Sequence, residues 1–473
     1  MLKTISKALG KVFRSNPHSK NDDGTLSPSS MITEAKRHRV SEEEHKIPRR
    51  LLDDNALKVA YRLQDAGYDG FLVGGCIRDL LLNKKPKDFD VATNAHPEEA
   101  AELFRRGRLI GRRFKLVHVR YGRDLIEVAT FRASHDSQPE DGSGEQCDSG
   151  MILRDNVYGT IEDDALRRDF TVNALYYCPK DHCVYDFTSG FDDLKNGVLR
   201  MIGDPEDRYK EDPVRMLRAA RFAAKLDFTI EPASERPIPA LAPMLKRIAP
   251  ARLFDETLKL FQSGHALQSY QQLRRLELFE PIFSQVQTLL DDPHLDMPLE
   301  RLIENALKNT DRRLAQRKSV TPAFLFAAIL WYPTQKRMQQ LMREQKMPPL
   351  PALHEAANQV IAEQVRSTAI PRRFSTPIRE IWEMQLRLPR RQGHRAHRLM
   401  EMPRFRAAYD LLLLRENSGE QLDGLSQWWT DFQNANTEAQ SEMLNGLDKI
   451  DKPRRSRRKK PNKPRKERSG NES

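Results

Sequence analysis

Asp88 and Asp90 stand two residues apart, shortly after the run Gly74-Gly75-Cys76-Ile77-Arg78-Asp79. Tyr68 to Val73, closing on Phe71-Leu72-Val73, reads as a strand that stops at the glycine pair. Cys76 to Asn83 reads as a short helix, and Asp88-Phe89-Asp90 opens a second strand through Val91-Ala92-Thr93. Side chains alternate along a strand, so Asp88 and Asp90 share one face and Phe89 takes the other. Two acceptor-only carboxylates side by side suit a hard divalent cation, Mg2+ or Mn2+. Gly74 and Gly75 let a phosphate approach the backbone at a helix N-terminus, and Arg78 follows within one turn. Such a place holds metal and triphosphate together. An Asp-x-Asp pair alone is a weak signal, because surface loops carry such pairs by chance; the glycines and the strand context carry the reading.

Those residues need a scaffold. A helix from Asn55 to Ala66 leads into the glycine strand, and another from Pro97 to Arg106 follows the Asp88-Asp90 strand with proline at its start. Leu109 to Arg120 and Asp124 to Phe131 read as two strands around a Tyr121-Gly122-Arg123 turn. Residues 134 to 150, polar, acidic and rich in Gly and Ser, read as a mobile loop. From Leu166 onward helical patterns dominate, as in Leu253 to Phe261, Ile303 to Lys308, Phe324 to Trp331, Glu355 to Gln364 and Phe405 to Glu416. The expected class is α+β: a small mixed sheet followed by a mainly helical chain. Its expected parts are a leader and linker (1–50), a sheet-bearing part (51–180), two helical parts (181–260 and 261–450) and a disordered basic tail (451–473).

The chain has 473 residues, room for two to four domains. No run is long enough to span a membrane, and no secretory apolar core precedes a small-residue cleavage site, so a cytoplasmic protein is expected. Four cysteines suggest a reduced compartment, and Cys178, His182 and Cys183 lack the second pair that a zinc site needs. The net charge is +12, and residues 452–473, with eleven Lys or Arg and two Glu, hold +9 of it, leaving +3 for the rest. This tail, with Arg454, Arg455, Arg457, Arg458, Lys459 and Lys460, is poor in apolar residues and open to polyanions, nucleic acid above all. At the other end, Leu2, Ile5, Leu9 and Val12 recur near helical spacing among Lys3, Lys7, Lys11 and Arg14. That pattern is either a basic amphipathic helix able to touch a membrane surface or a disordered leader.

Further along stand Arg167-Arg168-Asp169-Phe170-Thr171-Val172-Asn173-Ala174 and Glu211-Asp212-Pro213-Val214-Arg215-Met216-Leu217-Arg218. Arg167 and Arg168 offer fixed forks of donors to phosphate. Asp169 and Asn173 lie i, i+4 if their stretch is helical, so both could face a ribose. On one helix, Glu211, Asp212, Arg215 and Arg218 would share a broad face opposite Met216, Leu217, Ala220 and Ala224. Asp212 and Arg215 could then present an acceptor and a donor fork to one base edge, or simply pair with each other.

With the glycine pair and Asp88-Asp90, these ordered motifs resemble the class II tRNA-nucleotidyltransferase and bacterial poly(A) polymerase family, closely over residues 50 to 260. Cys76 stands where many relatives have a third glycine. The resemblance implies an ATP-using enzyme that extends RNA 3′ ends, with Asp88 and Asp90 as metal ligands, Glu127 or Asp169 as the third carboxylate, and Asp212-Arg215 as an amino-acid template for the base. It implies RNA partners such as mRNA, small regulatory RNA and tRNA-like decay substrates, and RNA-decay proteins. Leu109-Ile110-Gly111-Arg112-Arg113-Phe114 and Phe405-Arg406-Ala407-Ala408-Tyr409-Asp410 resemble the polymerases rather than the CCA-adding enzymes. Arg112 and Arg113 could steer RNA or triphosphate. Poly(A) addition is therefore the expected activity; CCA addition and a non-catalytic RNA-binding protein are the alternatives.

Overall fold

The computed structural model describes residues 38–111, 115–133, 144–146, 152–155 and 157–450. The N-terminal amphipathic pattern, Arg112 and Arg113, most of the 134–150 loop and the basic tail with Arg454, Arg455, Arg457, Arg458, Lys459 and Lys460 lie outside the described residues. One compact unit runs to Gln287 and takes in Thr310–Arg317 and Arg366–Ala369; a second holds Thr288–Asn309, Lys318–Val365 and the chain from Ile370.

The first unit is built on eight strands: β1 (His38–Val40), β2 (Phe71–Val73), β3 (Asp90–Thr93), β4 (Gly107–Ile110), β5 (Leu116–Tyr121), β6 (Asp124–Thr130), β9 (Leu175–Cys178) and β10 (Cys183–Asp186). β7 (Gly144–Gln146) and β8 (Ile152–Asp155) form a separate antiparallel ribbon. The eight lie in the order β1-β10-β9-β2-β3-β6-β5-β4, antiparallel except for β3 beside β6. Their register sorts the side chains into rows. Val40, Val184, Tyr177, Leu72, Val91, Val128, Val117 and Leu109 align across all eight strands. All but Leu109, on the edge strand, are buried, and they pack with Ala56, Val59, Ala60 and Leu63 of the helix Asp54–Asp65. Asp53 caps that helix by accepting from the N–H groups of Asn55 and Ala56, worth about 1 kcal/mol for such a cap. The neighbouring row reads Arg39, Tyr185, Tyr176, Val73, Asp90, Glu127, His118 and Arg108. A one-residue slip would exchange the two rows, so burying the valine row holds the carboxylate row on the opposite face.

Several expectations need correction. β1 and the helix Glu42–His45 lie inside the stretch read as leader and linker; Val40 is fully buried, and its charged neighbours hid it. A boundary at 180 cuts the β9–β10 hairpin. Every residue of β9 is buried, so the strand lacks the alternation that marks one. Leu109 to Arg120 is not one strand: β4 ends at Ile110, Gly111 takes φ +86°, and β5, from Leu116, pairs antiparallel with β4. Helices follow to residue 450, most of them longer than their sequence patterns, as in Leu299–Ala315 and Pro349–Ser367. Among the described residues no helix is long and apolar enough to cross a membrane.

Candidate active site

β2 ends at Val73, and Gly74 takes φ +80°, ψ −131°, a conformation that side chains rarely adopt. The helix Gly75–Leu81 starts at once. Cys76 sits inside it, buried, with its thiol on the Val73 carbonyl at 3.3 Å and burial pushing its pKa up to about 12, so it is an inert packing residue. Val73 is also the register partner of Asp90, which brings the glycine pair beside the first residue of β3.

Asp90 is flanked on its other side by Glu127, its in-register partner on β6. Asp88 precedes the strand rather than lying in it. It is exposed, 3.5 Å from Lys87 Nζ, and the half-buried Phe89 between the two aspartates packs against the core. Partial burial, and next the charge of Glu127, push the Asp90 carboxyl up to about 6; Arg168 pulls the other way and Asp88 adds to the rise. Negative charge is thus crowded at an accessible edge, where a cation would relieve it. His118 Nε2 lies 3.3 Å from Glu127. Among the described residues no three His, Cys, Asp or Glu side chains converge closely enough to hold a metal alone. That openness suits Mg2+, which is bound through one or two carboxylates together with substrate phosphates. Asp90 with its in-register neighbour Glu127 is the candidate pair for such an ion, and Asp88 stands just before them in the chain.

Arg168 stands over this corner. Its Nε and Nη2 donate to Asp164, at 3.1 and 2.9 Å, and Nε also reaches the Tyr176 hydroxyl at 2.8 Å. Tyr176 in turn donates to Asp164 at 2.6 Å. Nη1 is left outside these bonds, 3.4 Å from where a Cβ on Gly74 would be. A Cβ at Gly74 would sit in van der Waals contact with that guanidinium, so the glycine leaves the space between backbone and fork unfilled.

Asp169 is engaged differently. It accepts from Arg218 Nε at 2.6 Å, Asn173 Nδ2 at 3.0 Å and the Phe170 N–H at 2.8 Å. Burial alone would raise its carboxyl; the charge of Arg218 and these bonds outweigh burial and bring it down to about 2. The stretch is not the α-helix that would put Asp169 and Asn173 i, i+4: Phe170 is extended and only Thr171–Asn173 turns, as a 3-10 helix. The two side chains meet nonetheless. Arg78, expected at the phosphates, is 3% exposed, and its fork is spent on Asp79 and on Asn173 Oδ1 at 2.5 Å. It positions Asn173, and through it Asp169. Arg167 ends the helix Ile161–Arg167, and its carbonyl accepts from Arg208.

The Glu211–Arg218 stretch is not one helix. Pro213 lacks an N–H and splits it into Pro205–Glu211 and Val214–Leu226, with Asp212 extended between them. Asp212 and Arg215 meet only through the backbone, where the Arg215 N–H donates to the Asp212 carbonyl at 2.9 Å; their side chains turn to other partners. Arg252, from the helix Pro250–Phe261, clasps Asp212 with both nitrogens at 2.9 and 2.6 Å. Arg215 Nη1 donates to Glu211 and to the Arg208 carbonyl, each at 2.7 Å, leaving Nε and Nη2 outside those bonds. Met216, Leu217, Ala220 and Ala224 are buried, as their spacing predicts. Sequence reading missed Asp164, Tyr176, His118 and Arg252. Only Asp164 carried a signal, four residues before Arg168.

Three profiles of one family match the chain: the poly A polymerase head domain over residues 70–200, a probable RNA and SrmB-binding site of polymerase A over 227–290, and the polymerase A arginine-rich C-terminus over 345–466. Poly(A) polymerase I of Salmonella typhimurium is 52% identical over 413 residues, 86% of this chain and 88% of that one. The chain belongs to the bacterial poly(A) polymerase family. A CCA-adding enzyme of Lactobacillus helveticus is 36% identical over 270 residues, which is 55% of this chain and 65% of that one. Among solved structures, an apo CCA-adding enzyme shares the fold at TM-score 0.57 and 20% identity, over 87% of this chain and 94% of that one. The poly(A) polymerase family therefore shares its fold with the CCA-adding enzymes, while this chain's sequence likeness to the polymerases runs much further along its length.

Proposed function

We infer that the chain is a polynucleotide adenylyltransferase that adds AMP from ATP to RNA 3′ ends without a template. The observation that carries the site assignment is the register of Val73, Asp90 and Glu127, which sets the glycine pair and two carboxylates at one corner of the sheet; the likeness to the Salmonella polymerase over most of both chains supports adenylate as the product.

Asp88, Asp90 and Glu127 would hold divalent ions, which supply charge neutralisation at the phosphates and a lowered pKa for the attacking hydroxyl. The rest falls to this chain's own groups. Gly74 leaves the backbone open to the triphosphate, and Arg168, held charged by Asp164, offers it Nη1. The RNA 3′-hydroxyl attacks the α-phosphorus in line; the bond to the β-phosphate oxygen breaks and pyrophosphate leaves. Arg218 and Asn173, locked on Asp169, form a fixed wall for the nucleoside. Arg252 holds the Asp212 carboxylate still while Arg215 keeps two donor nitrogens outside its internal bonds, so acceptor and donor stand ready for a base edge. A rigid pair reads one base better than a mobile one, which suits a single-nucleotide product.

Label position tests the chemistry. With [α-32P]ATP the label should enter RNA; with [γ-32P]ATP it should leave as pyrophosphate. No incorporation in either case would support a binding protein without catalysis. Base choice has its own test. Arg215→Ala should lower the preference for ATP over CTP by about 1–3 kcal/mol, by analogy with paired base contacts. Arg252→Ala should lower it in the same direction, read as the ratio of kcat/KM for the two nucleotides. An unchanged ratio in both variants would remove Asp212 and Arg215 from base reading. The basic tail, Arg112 and Arg113 would grip RNA by backbone charge rather than by tRNA shape.

A further inference from the structure

The second unit carries a basic turn that no motif above uses. It joins the helices Arg372–Arg387 and Arg395–Met400. From Arg387 to Arg398 the chain holds five arginines, two histidines and no carboxylate. Arg387 is paired with Glu383. Arg390, Arg395 and Arg398 are exposed and, among the described residues, make no side-chain ion pair or hydrogen bond. Beside the turn lies an aromatic cluster. Trp428 stacks on Phe432 at 4.7 Å and meets Trp429 edge-on at 5.0 Å. Trp429 and Phe432 are fully buried, whereas Trp428 keeps part of its surface in solvent. The Arg391 guanidinium carbon lies 4.8 Å from the Trp428 ring centre. Arg391, half-exposed, thus packs as a cation on a Trp428 ring that also stacks on Phe432.

We propose that this turn, from Arg387 to Arg398 with Arg391 held on Trp428, is a binding surface for single-stranded RNA, distinct from the active site and from the tail. Unpaired guanidinium forks match phosphate oxygens in geometry as well as charge. Single-stranded RNA adds what an acidic peptide lacks, bases that stack on guanidinium planes and aromatic rings. The assignment is Arg390, Arg395 and Arg398 to phosphates and Arg391 to a base. It rests on the reading that the chain acts on RNA.

The test uses the full chain, a fluorescent single-stranded oligoadenylate and a series of salt concentrations, with binding read by anisotropy. The triple variant R390A/R395A/R398A alters only exposed side chains, and circular dichroism checks its fold. Its plot of log affinity against log salt should be shallower than the parent's by about 2, at roughly 0.7 per lost contact on a single strand. Arg391→Lys keeps the charge and loses the flat stack; its slope should match the parent's while its affinity falls about tenfold, the weight of one base stack. A triple variant with the parent's slope and affinity would overturn the proposal. So would loss of binding to polyglutamate with RNA binding intact, which would make the turn a protein-docking surface. Failure of the enzymatic reading is separable: a parent that binds RNA through this turn but never adds AMP leaves the surface standing, whereas a parent that extends RNA and a triple variant that binds it equally well removes the surface alone.

Discussion

Extension of an RNA 3′ end should disappear when Asp90 is replaced by alanine. Asp90 stands between the end of the glycine strand and Glu127, and among the described residues no other carboxylate is in register with both. Losing its share of cation binding should cost several kcal/mol of barrier, on the order of 10^3-fold in rate or more. Asp88→Ala should act in the same direction. Neither change should unfold the protein. Asp88 is exposed, and the Asp90 carboxylate is repelled by Glu127 and Asp88, so the metal-free Asp90→Ala protein should melt no lower than the metal-free parent. RNA affinity, measured without ATP, should stay close to that of the parent. An Asp90→Ala protein that extends RNA at the parent's rate would remove the carboxylate row from catalysis.

The second large effect separates Glu127 from Asp169. We propose Glu127 as the third carboxylate of the reaction and Asp169 as a positioning residue, because Asp169 is already committed to Arg218, Asn173 and a backbone N–H. Glu127→Gln keeps the shape and removes the charge. It should lower kcat by about 10^2-fold or more, as the loss of a metal-borne charge contact does, with Tm unchanged. Asp169→Asn should lower Tm as well as activity. The sign follows from the depressed carboxyl. Its folded-state value of about 2 lies below the usual value near 3.9, so the ionised group stabilises the fold above about pH 4, and that contribution is lost as pH falls through about 2. The contribution should be about 2–3 kcal/mol at neutral pH. The Tm gap between parent and Asp169→Asn should therefore narrow between pH 4 and pH 2. A Glu127→Gln enzyme of full activity beside an inactive Asp169→Asn enzyme with the parent's Tm would exchange the two roles.

How far the site could be read from sequence depended on whether its contacts were local. Asp88, Asp90 and the glycine pair lie within one strand-turn-helix-strand stretch, so spacing alone drew attention to them. The buried face of Val214–Leu226 followed from helical periodicity. Partner choice did not follow. Asp212 faces Arg252, forty residues away in sequence, and nothing near either residue announces the pair. Arg78 looked like a phosphate ligand because it follows two glycines, yet the fold turns it inward onto Asn173, ninety-five residues on. Pro213 could have warned that the Glu211–Arg218 face was broken, since proline gives its helix no N–H to donate. β1 and β9 were obscured for opposite reasons, one by charged neighbours and the other by complete burial. The alignment of Glu127 with Asp90 is a property of the parallel β3–β6 pairing, which a sequence names only after its topology is known.

The central claim is that this corner of the sheet, with its base-reading pair, adds one kind of nucleotide repeatedly to RNA of any shape. The most direct measurement is product length: the full chain, an unstructured RNA, Mg2+ and one nucleoside triphosphate at a time, resolved on a sequencing gel. Long heterogeneous tails with ATP alone, little extension with CTP, GTP or UTP, and no need for a tRNA fold are the expected result. Addition that needs CTP, stops after three nucleotides and works only on truncated tRNA would contradict it and make the chain a CCA-adding enzyme.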